Sequence, residues 1–300
     1  MTAPHTTDRA VAAASAIARG FGLESTVPVV FGGNSNTMVH LAPLPVVARV
    51  ATGTGLVRSG PAWLAREVEV ARHLAAVGAP AVRPSTLLDP GPHTHDGMAV
   101  SFWELVAIRH EPIAPEEAGR SLRRCHDALD DYRGELPALG VIDETLRLVD
   151  HPRVAASLDD EDRHLLDRVA ARWNVTREFR DGVQLRPLHG DAHLLNLWST
   201  RAGPIWGDWE DVFAGPIEWD LACLVSASIV LGDGSTATAM LRAYGGDVDR
   251  DLLHRMIETR TLQSVVWASL LANDAARNQR LRARLSWLRS LLSEAGTRSR

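Results

Sequence analysis

The chain has 300 residues, 45% hydrophobic and 23% charged, with a net charge of −5 and a pI near 6.2. That is an ordinary soluble globule, long enough for one large domain or two modest ones. The acidic balance argues against a nucleic-acid partner, and two distant cysteines, Cys125 and Cys223, suit a reducing cytoplasm better than a disulfide framework. All 32 basic residues are arginine, so a Walker A phosphate loop and any lysine-based Schiff-base or general-base chemistry are excluded.

The first element is a helix near 8–21. Its run Val11–Ala18 is mostly alanine, short and flanked by Arg9 and Arg19, so it reads as a surface helix rather than a signal or membrane segment. Val27–Phe31, Thr37–Leu41 and Val46–Val50 alternate as strands. Between the first two lies the turn Gly32-Gly33-Asn34-Ser35-Asn36, and Pro43 and Pro45 mark the second turn. Pro61 opens a helix with apolar spacing through Leu64, Val68, Ala71, Leu74 and Val77, and Gly78 ends it. Two further strands are expected at Ser85–Asp89 and Met98–Leu105, around the turn Pro90-Gly91-Pro92.

Beyond residue 110 the pattern turns helical, with helices expected near 115–130, 157–180, 218–231, 235–244, 249–276 and 279–294. A strand-rich first third and a helical remainder predict an α+β chain of two lobes, cut at 1–107 and 108–300. The late arginines Arg277, Arg280, Arg282, Arg284 and Arg289 read as a solvated helix face. Trp267 is a candidate lining residue for a substrate pocket.

Two strings interrupt the helical series. Residues 189–196 read His-Gly-Asp-Ala-His-Leu-Leu-Asn, and 207–211 read Gly-Asp-Trp-Glu-Asp. Between them Leu197-Trp198, a turn-rich stretch and Ile205-Trp206 predict a hairpin that brings Asn196 beside Asp208. An Asp, then an Asn five positions later, then another Asp after a hairpin is the layout of a phosphoryl-transfer site. Such chemistry needs positioning and charge neutralisation more than covalent help, and Mg2+ takes hard oxygen ligands. Asp191 is therefore the candidate base, and Asn196 and Asp208 the candidate Mg2+ ligands. Glu210 and Asp211 could hold a second metal or a substrate amine, or be solvated. His193 could support Asp191 or be a satisfied core histidine.

With these residues in hand, the chain resembles the aminoglycoside phosphotransferase family of the protein-kinase-like superfamily, over roughly residues 20–275. The H-G-D-x-H-x-x-N signature is matched by His189, Gly190, Asp191, His193 and Asn196. The later signature is matched by Asp208-Trp209-Glu210, Gly215-Pro216 and Trp219-Asp220-Leu221-Ala222. The resemblance implies a two-lobed fold, a small lobe of antiparallel sheet plus helix and a larger helical lobe with the catalytic loop and acceptor site. It also implies a nucleotide-covering loop at Gly32, Gly33 and Asn36, with Arg49 where kinases place a phosphate-binding lysine and Glu67 as its ion-pair partner. Trp103, Glu104 and Leu105 would form a hinge whose backbone meets a purine. His189 would order the catalytic loop, and Asp220 would hold its backbone.

The implied activity is transfer of the γ-phosphoryl of ATP or GTP, with Mg2+, to a hydroxyl of a small molecule. Aminoglycosides, macrolides, choline or ethanolamine, homoserine, and other sugars and amino alcohols are the implied acceptors; drug resistance is one outcome. No nucleic-acid or membrane partner is expected. Two other readings stand beside this one. His189, Asp191 and His193 could ligate the metal of a hydrolase, and a kinase-like fold can bind nucleotide without turning it over.

Overall fold

The computed structural model describes residues 4–24, 27–31, 36–174, 182–271 and 275–298. In chain order the elements are α1 (Pro4–Gly20), β1 (Val27–Val30), β2 (Asn36–Ala42), β3 (Val46–Ala51), α2 (Ala62–Ala76), β4 (His93–His95), β5 (Met98–Glu104) and α3 (Pro115–Leu129). There follow α4 (Gly140–Val149), α5 (Pro152–Ser157), α6 (Asp160–Asn174), β6 (Arg186–Leu188), β7 (Leu197–Thr200), β8 (Gly203–Trp206) and β9 (Phe213–Gly215). The chain then runs through α7 (Ile217–Val230), α8 (Gly234–Tyr244), α9 (Arg250–Leu270) and α10 (Ala275–Arg298).

These elements form two compact units. The first comprises Met1–Ile113, Arg124–Glu135 and Asn196–Val212, and the second Ala114–Arg123, Leu136–Leu195 and Phe213–Arg300. The first unit carries a five-stranded antiparallel sheet in the order β1-β2-β3-β5-β4. Alternation along β2, β3 and β5 sends Val39, Leu41, Ala48, Val50, Val100 and Phe102 to one face, where they pack with the fully buried Ala10, Ala13, Ala14 and Ala18 of α1. The alanine stripe thus lets a helix lie close on the sheet. Arg49, between Ala48 and Val50, points to the opposite face, where α2 lies; Val68 and Ala71 of α2 pack there with Trp103 of β5. Gly78 follows α2 with φ 72°, the left-handed conformation that closes a helix C-terminus at little cost for glycine.

The predicted hairpin is β7 and β8, joined by the two residues Arg201-Ala202, with Leu197 opposite Trp206 and Thr200 opposite Gly203. It is sewn to the segment after α2 by Trp206 N–H to Pro80 O and Val82 N–H to Trp206 O, both 2.8 Å.

In the second unit α9 is central, packing against α4, α5, α6, α7 and α10. Helix α7 is buried on every side from Glu218 to Ser226, as expected of a helix with no polar face. A Cβ on Gly119 of α3 would run into the Met240 carbonyl of α8.

Three expectations are corrected. Ser85–Asp89 is not a strand. Pro84, Pro90 and Pro92 interrupt the donors a ladder needs, and the segment meets β5 only through isolated bonds, Ser85 N–H to Phe102 O at 2.9 Å and Phe102 N–H to Pro90 O at 3.0 Å. The edge strand is instead β4, paired with β5. The helix expected over 157–180 begins at Asp160, and Gly140–Val149 forms a helix that was not foreseen. Among the described residues no helix is long and apolar enough to cross a membrane.

Candidate active site

In the first unit, Arg49 on β3 is the hub. Its Nη1 lies 2.5 Å from Glu67 Oε1 on α2, and its Nη2 lies 2.5 Å from Asp208 Oδ1 and 2.8 Å from Glu210 Oε2. Asn36, at the start of β2, donates from Nδ2 to Glu210 Oε2 at 2.9 Å and accepts from Thr54 Oγ1 at 2.6 Å. Arg58 neutralises the next acid, Asp211, at 2.5 Å. One guanidinium therefore faces three carboxylates, a local excess of negative charge when all are ionised.

The titration behaviour expresses that excess. Burial opposes the charge on Arg49, but Asp208, Glu210 and Glu67 outweigh it and hold its pKa above the ordinary value. Burial pushes Glu67 up to about 7, partly offset by Arg49, and Asp208 adds repulsion. Burial likewise drives Glu210 well above the usual carboxylate range. Asp208 is the most open of the three, its side chain 33% exposed against 2% for Glu67 and 9% for Glu210. It is held at φ 63°, a left-handed conformation that Asp tolerates better than most residues but that still carries strain.

Asn196, which the hairpin places next to this acid, is buried, and its carbonyl accepts from Gly207 N–H at 2.9 Å. A half-buried carboxylate that is the most open of the three, a neighbouring amide and surplus negative charge suit a hard divalent cation. Among the described residues no three His, Cys, Asp or Glu side chains cluster as a metal site. A Mg2+ site does not need three, because phosphate and water oxygens complete its octahedron.

In the second unit the stretch from His189 to Leu195 is held by α7. The carboxylate of Asp220, fully buried in the first turn of α7, accepts from His189 N–H at 2.8 Å and Gly190 N–H at 2.9 Å. Trp219 Nε1–H donates to Gly190 O at 2.8 Å. Gly190 stands at φ 86°, where a side chain would be strained. The turn continues with Asp191 N–H to His189 Nδ1 at 3.3 Å and His193 N–H to Asp191 O at 2.7 Å. His193 Nδ1 accepts from Leu195 N–H at 3.2 Å, so its Nε2 carries the proton, 3.3 Å from Asp191 Oδ2. The other carboxylate oxygen, Oδ1, lies 2.5 Å from Arg260 Nη2 of α9. Burial works against the charge on Asp191, but Arg260 and then His193 hold its pKa well below the usual carboxylate range.

The model of the Phosphotransferase enzyme family, APH, matches residues 32–256, three quarters of the chain. The chain belongs to this family. It is thus an enzyme, a small-molecule phosphotransferase, on an α+β, two-lobed protein-kinase-like fold. Among curated proteins none matches it by sequence.

Solved structures share the fold at low identity. Amicoumacin kinase hAmiN, in complex with AMP-PNP, Ca2+ and Ami, superposes with a TM-score of 0.69 at 13% identity, covering 95% of each chain. The microcompartment-associated aminopropanol kinase gives 0.68 at 16%, covering 93% of this chain and 97% of its own. The aminoglycoside phosphotransferase APH(3'')-Id from Streptomyces rimosus, in complex with ADP and streptomycin, gives 0.61 at 18%, covering 84% of this chain and 98% of its own.

Measured against the family motifs, the structure brings Asn36, Arg49, Glu67, Asn196 and Asp208 together in the first unit, and His189, Asp191, His193 and Asp220 in the second. Gly32 and Gly33 lie outside the described residues. At the expected hinge, Trp103 is buried with its Nε1–H on Ser101 Oγ. The two following donors are already committed, Glu104 N–H to Arg83 O and Leu105 N–H to Pro45 O, both 3.0 Å. A purine would need other groups there. The sequence reading left Glu210 open between a second metal, a substrate amine and solvent; the structure buries it and sets its Oε2 against Arg49 and Asn36. One residue escaped that reading. Arg260 sits on Asp191, and its only signal was a charged residue in the run Met256–Val266, where Glu258 is the other charge.

Proposed function

We propose that this phosphotransferase moves the γ-phosphoryl of ATP, or GTP, to an alcohol of a small molecule, with Mg2+ held by Asn196 and Asp208. The observation that carries the reading is the Arg49 ring, a guanidinium fixed by a buried Glu67 beside the half-buried, negatively surrounded Asp208. In this reading Arg49 acts on the phosphates as a fixed cation rather than a bidentate grip, because its two Nη groups already hold Glu67, Asp208 and Glu210. Bound Mg2+ would neutralise charge developing on the phosphoryl oxygens. The residues 1–107 are assigned to the nucleotide and 108–300 to the catalytic loop and acceptor, in a cytoplasmic protein.

Asp191 orients the acceptor hydroxyl and takes its proton as the new O–P bond forms and the bond to the nucleoside diphosphate breaks. Its low basicity suits a loose transition state, in which attack needs little help from a base and alignment matters most. Asp220 fixes the loop, and His193 fixes the carboxylate rotamer through Nε2–H. The hydrolase reading has less support, since His189 Nδ1 is occupied as a turn acceptor and His189 is fully buried.

The test is nucleotide consumption over a panel of amino alcohols, sugars, aminoglycosides and hydroxy acids, with and without Mg2+. Asp191→Ala should lose on the order of 10²-fold or more in kcat while remaining folded. Near-normal phosphotransfer by that variant refutes the assignment.

A further inference from the structure

The late arginines are only in part the solvated face that their spacing suggested: Arg280 and Arg282 are exposed, but Arg289 pairs with Asp162 and Glu161. Arg260 is placed differently. It lies in the middle of α9, in a buried run that also holds Glu258, Thr259, Thr261 and Gln263. Thr259 and Thr261 return their hydroxyls to the carbonyls of Arg255 and Ile257, at 2.9 and 2.7 Å, and Glu258 meets Arg172 and His254. The Arg260 guanidinium instead leaves its own helix. Its Nη2 reaches Asp191 Oδ1 at 2.5 Å while Nη1 donates to Gln263 Oε1, one turn further along α9.

A guanidinium buried in mid-helix is costly unless it is paired, and a well-packed apolar replacement for such a pair is often as stable or more so. Stability alone therefore does not account for it. Orientation does. The backbone of the His189–Leu195 loop is held by Asp220 of α7, through His189 N–H and Gly190 N–H. Helix α7 packs against α9 and is joined to its start, where Glu218 Oε1 accepts from Asp249 N–H at 3.1 Å. Arg260 closes the circuit by tying the Asp191 carboxylate to α9. Backbone and carboxylate are thus referred to the same two packed helices. His193 cannot do this, since it stands two residues from Asp191 on the same loop and moves with it.

We propose that Arg260 is a positioning residue for phosphoryl transfer, with Gln263 steadying its guanidinium: it fixes the Asp191 carboxylate in one rotamer and presents Oδ2, held less closely by His193 at 3.3 Å, to the acceptor hydroxyl. This rests on the reading of Asp191 as the group that takes the acceptor proton. A guanidinium stays charged at every working pH, so the hold does not depend on a proton. What Arg260 contributes is alignment rather than ground-state binding, and its loss belongs in kcat.

The test uses the full-length protein with ATP, MgCl2 and choline, ethanolamine, homoserine, streptomycin or glycerol, the variants being compared on the acceptor that wild type turns over fastest. Arg260→Met should lower kcat by about 10- to 100-fold while the KM values for ATP and acceptor each move less than about threefold. Arg260→Lys, which keeps a cation without the planar fork, should recover part of that loss, and Gln263→Leu should lower kcat by only about 2- to 5-fold. Once Asp191 is replaced there is nothing left to position, so in an Asp191→Asn background Arg260→Met should change kcat by less than about twofold. A full second loss in that background overturns the inference. So does an unchanged kcat in Arg260→Met, or a loss carried wholly by KM.

Near-normal phosphotransfer by Asp191→Asn alone refutes the mechanism instead, and the pair is then judged by unfolding, as it is should none of the five acceptors be turned over. Each single variant leaves a mostly buried charge short of its counter-ion. The urea midpoint of the Arg260→Met, Asp191→Asn double variant should therefore fall by less than the sum of the two single shifts. Additive shifts show the two side chains to be uncoupled and overturn the inference.

Discussion

Replacing Asp220 by Asn should disconnect the catalytic loop from the helix that carries it. The two side chains have nearly the same volume, so no cavity opens. Asp220 is fully buried and its two oxygens each accept one backbone N–H, from His189 and from Gly190. Asn keeps one acceptor oxygen and turns an amide donor towards the other N–H. One charge-assisted bond is weakened and the second becomes a donor–donor contact in a fully buried site. Such a bond contributes about 1.5–3 kcal/mol, and a buried unsatisfied donor costs a similar amount, so the loss should be about 2–4 kcal/mol. Against a typical domain stability of about 5–15 kcal/mol this is large.

The assay is urea unfolding followed by tryptophan fluorescence, for which Trp219 in α7 is a buried reporter. Where the variant is folded, kcat should fall by about 100-fold, because a loop displaced by an ångström no longer aligns Asp191. A destabilisation under about 1 kcal/mol together with unchanged kcat would refute the assigned role of Asp220.

Glu67 supplies a pH prediction. Its folded pKa of about 7 lies above the ordinary 4.5, so the folded chain keeps a proton that the unfolded chain has released. Stability is therefore full below about pH 4.5 and falls as pH rises towards and through 7, by up to about 3 kcal/mol for this group. In metal-free buffer Glu67→Gln should flatten that slope between pH 5 and 8, and an unchanged slope in denaturant titrations would count against it. Gly119→Ala forces a Cβ against the Met240 carbonyl and the Tyr244 amide and should destabilise by about 1–3 kcal/mol, measured as a lowered urea midpoint at unchanged m-value. Chelation by EDTA should abolish nucleotide consumption and added Mg2+ should restore it; turnover that survives chelation removes Mg2+ from the mechanism.

What the sequence revealed was local in origin. The meander was legible because Val39, Leu41, Ala48 and Val50 alternate with outward neighbours, and the hairpin because turn residues separate two short apolar pairs. The two motif strings were legible because their spacing is itself the geometry of a loop and a hairpin. What stayed hidden depends on contacts distant in sequence. Ser85–Asp89 has strand-like composition, yet prolines at 84, 90 and 92 leave it only isolated bonds to β5. Arg260 reaches Asp191 from a helix far along the chain, and nothing in its neighbours Thr259 and Thr261 announces the pairing. Glu210 looked like an acid beside acids until Arg49 and Asn36 enclosed it.

The Arg49 ring also bears on which substitutions the position tolerates. Through two separate nitrogens one planar group holds Glu67 on one side and Asp208 with Glu210 on the other. A lysine ammonium is a single point and cannot stand at both places, so Arg49→Lys would strand at least one buried acid. Arg49→Lys should therefore be poorly tolerated unless the charge of Glu210 is removed with it.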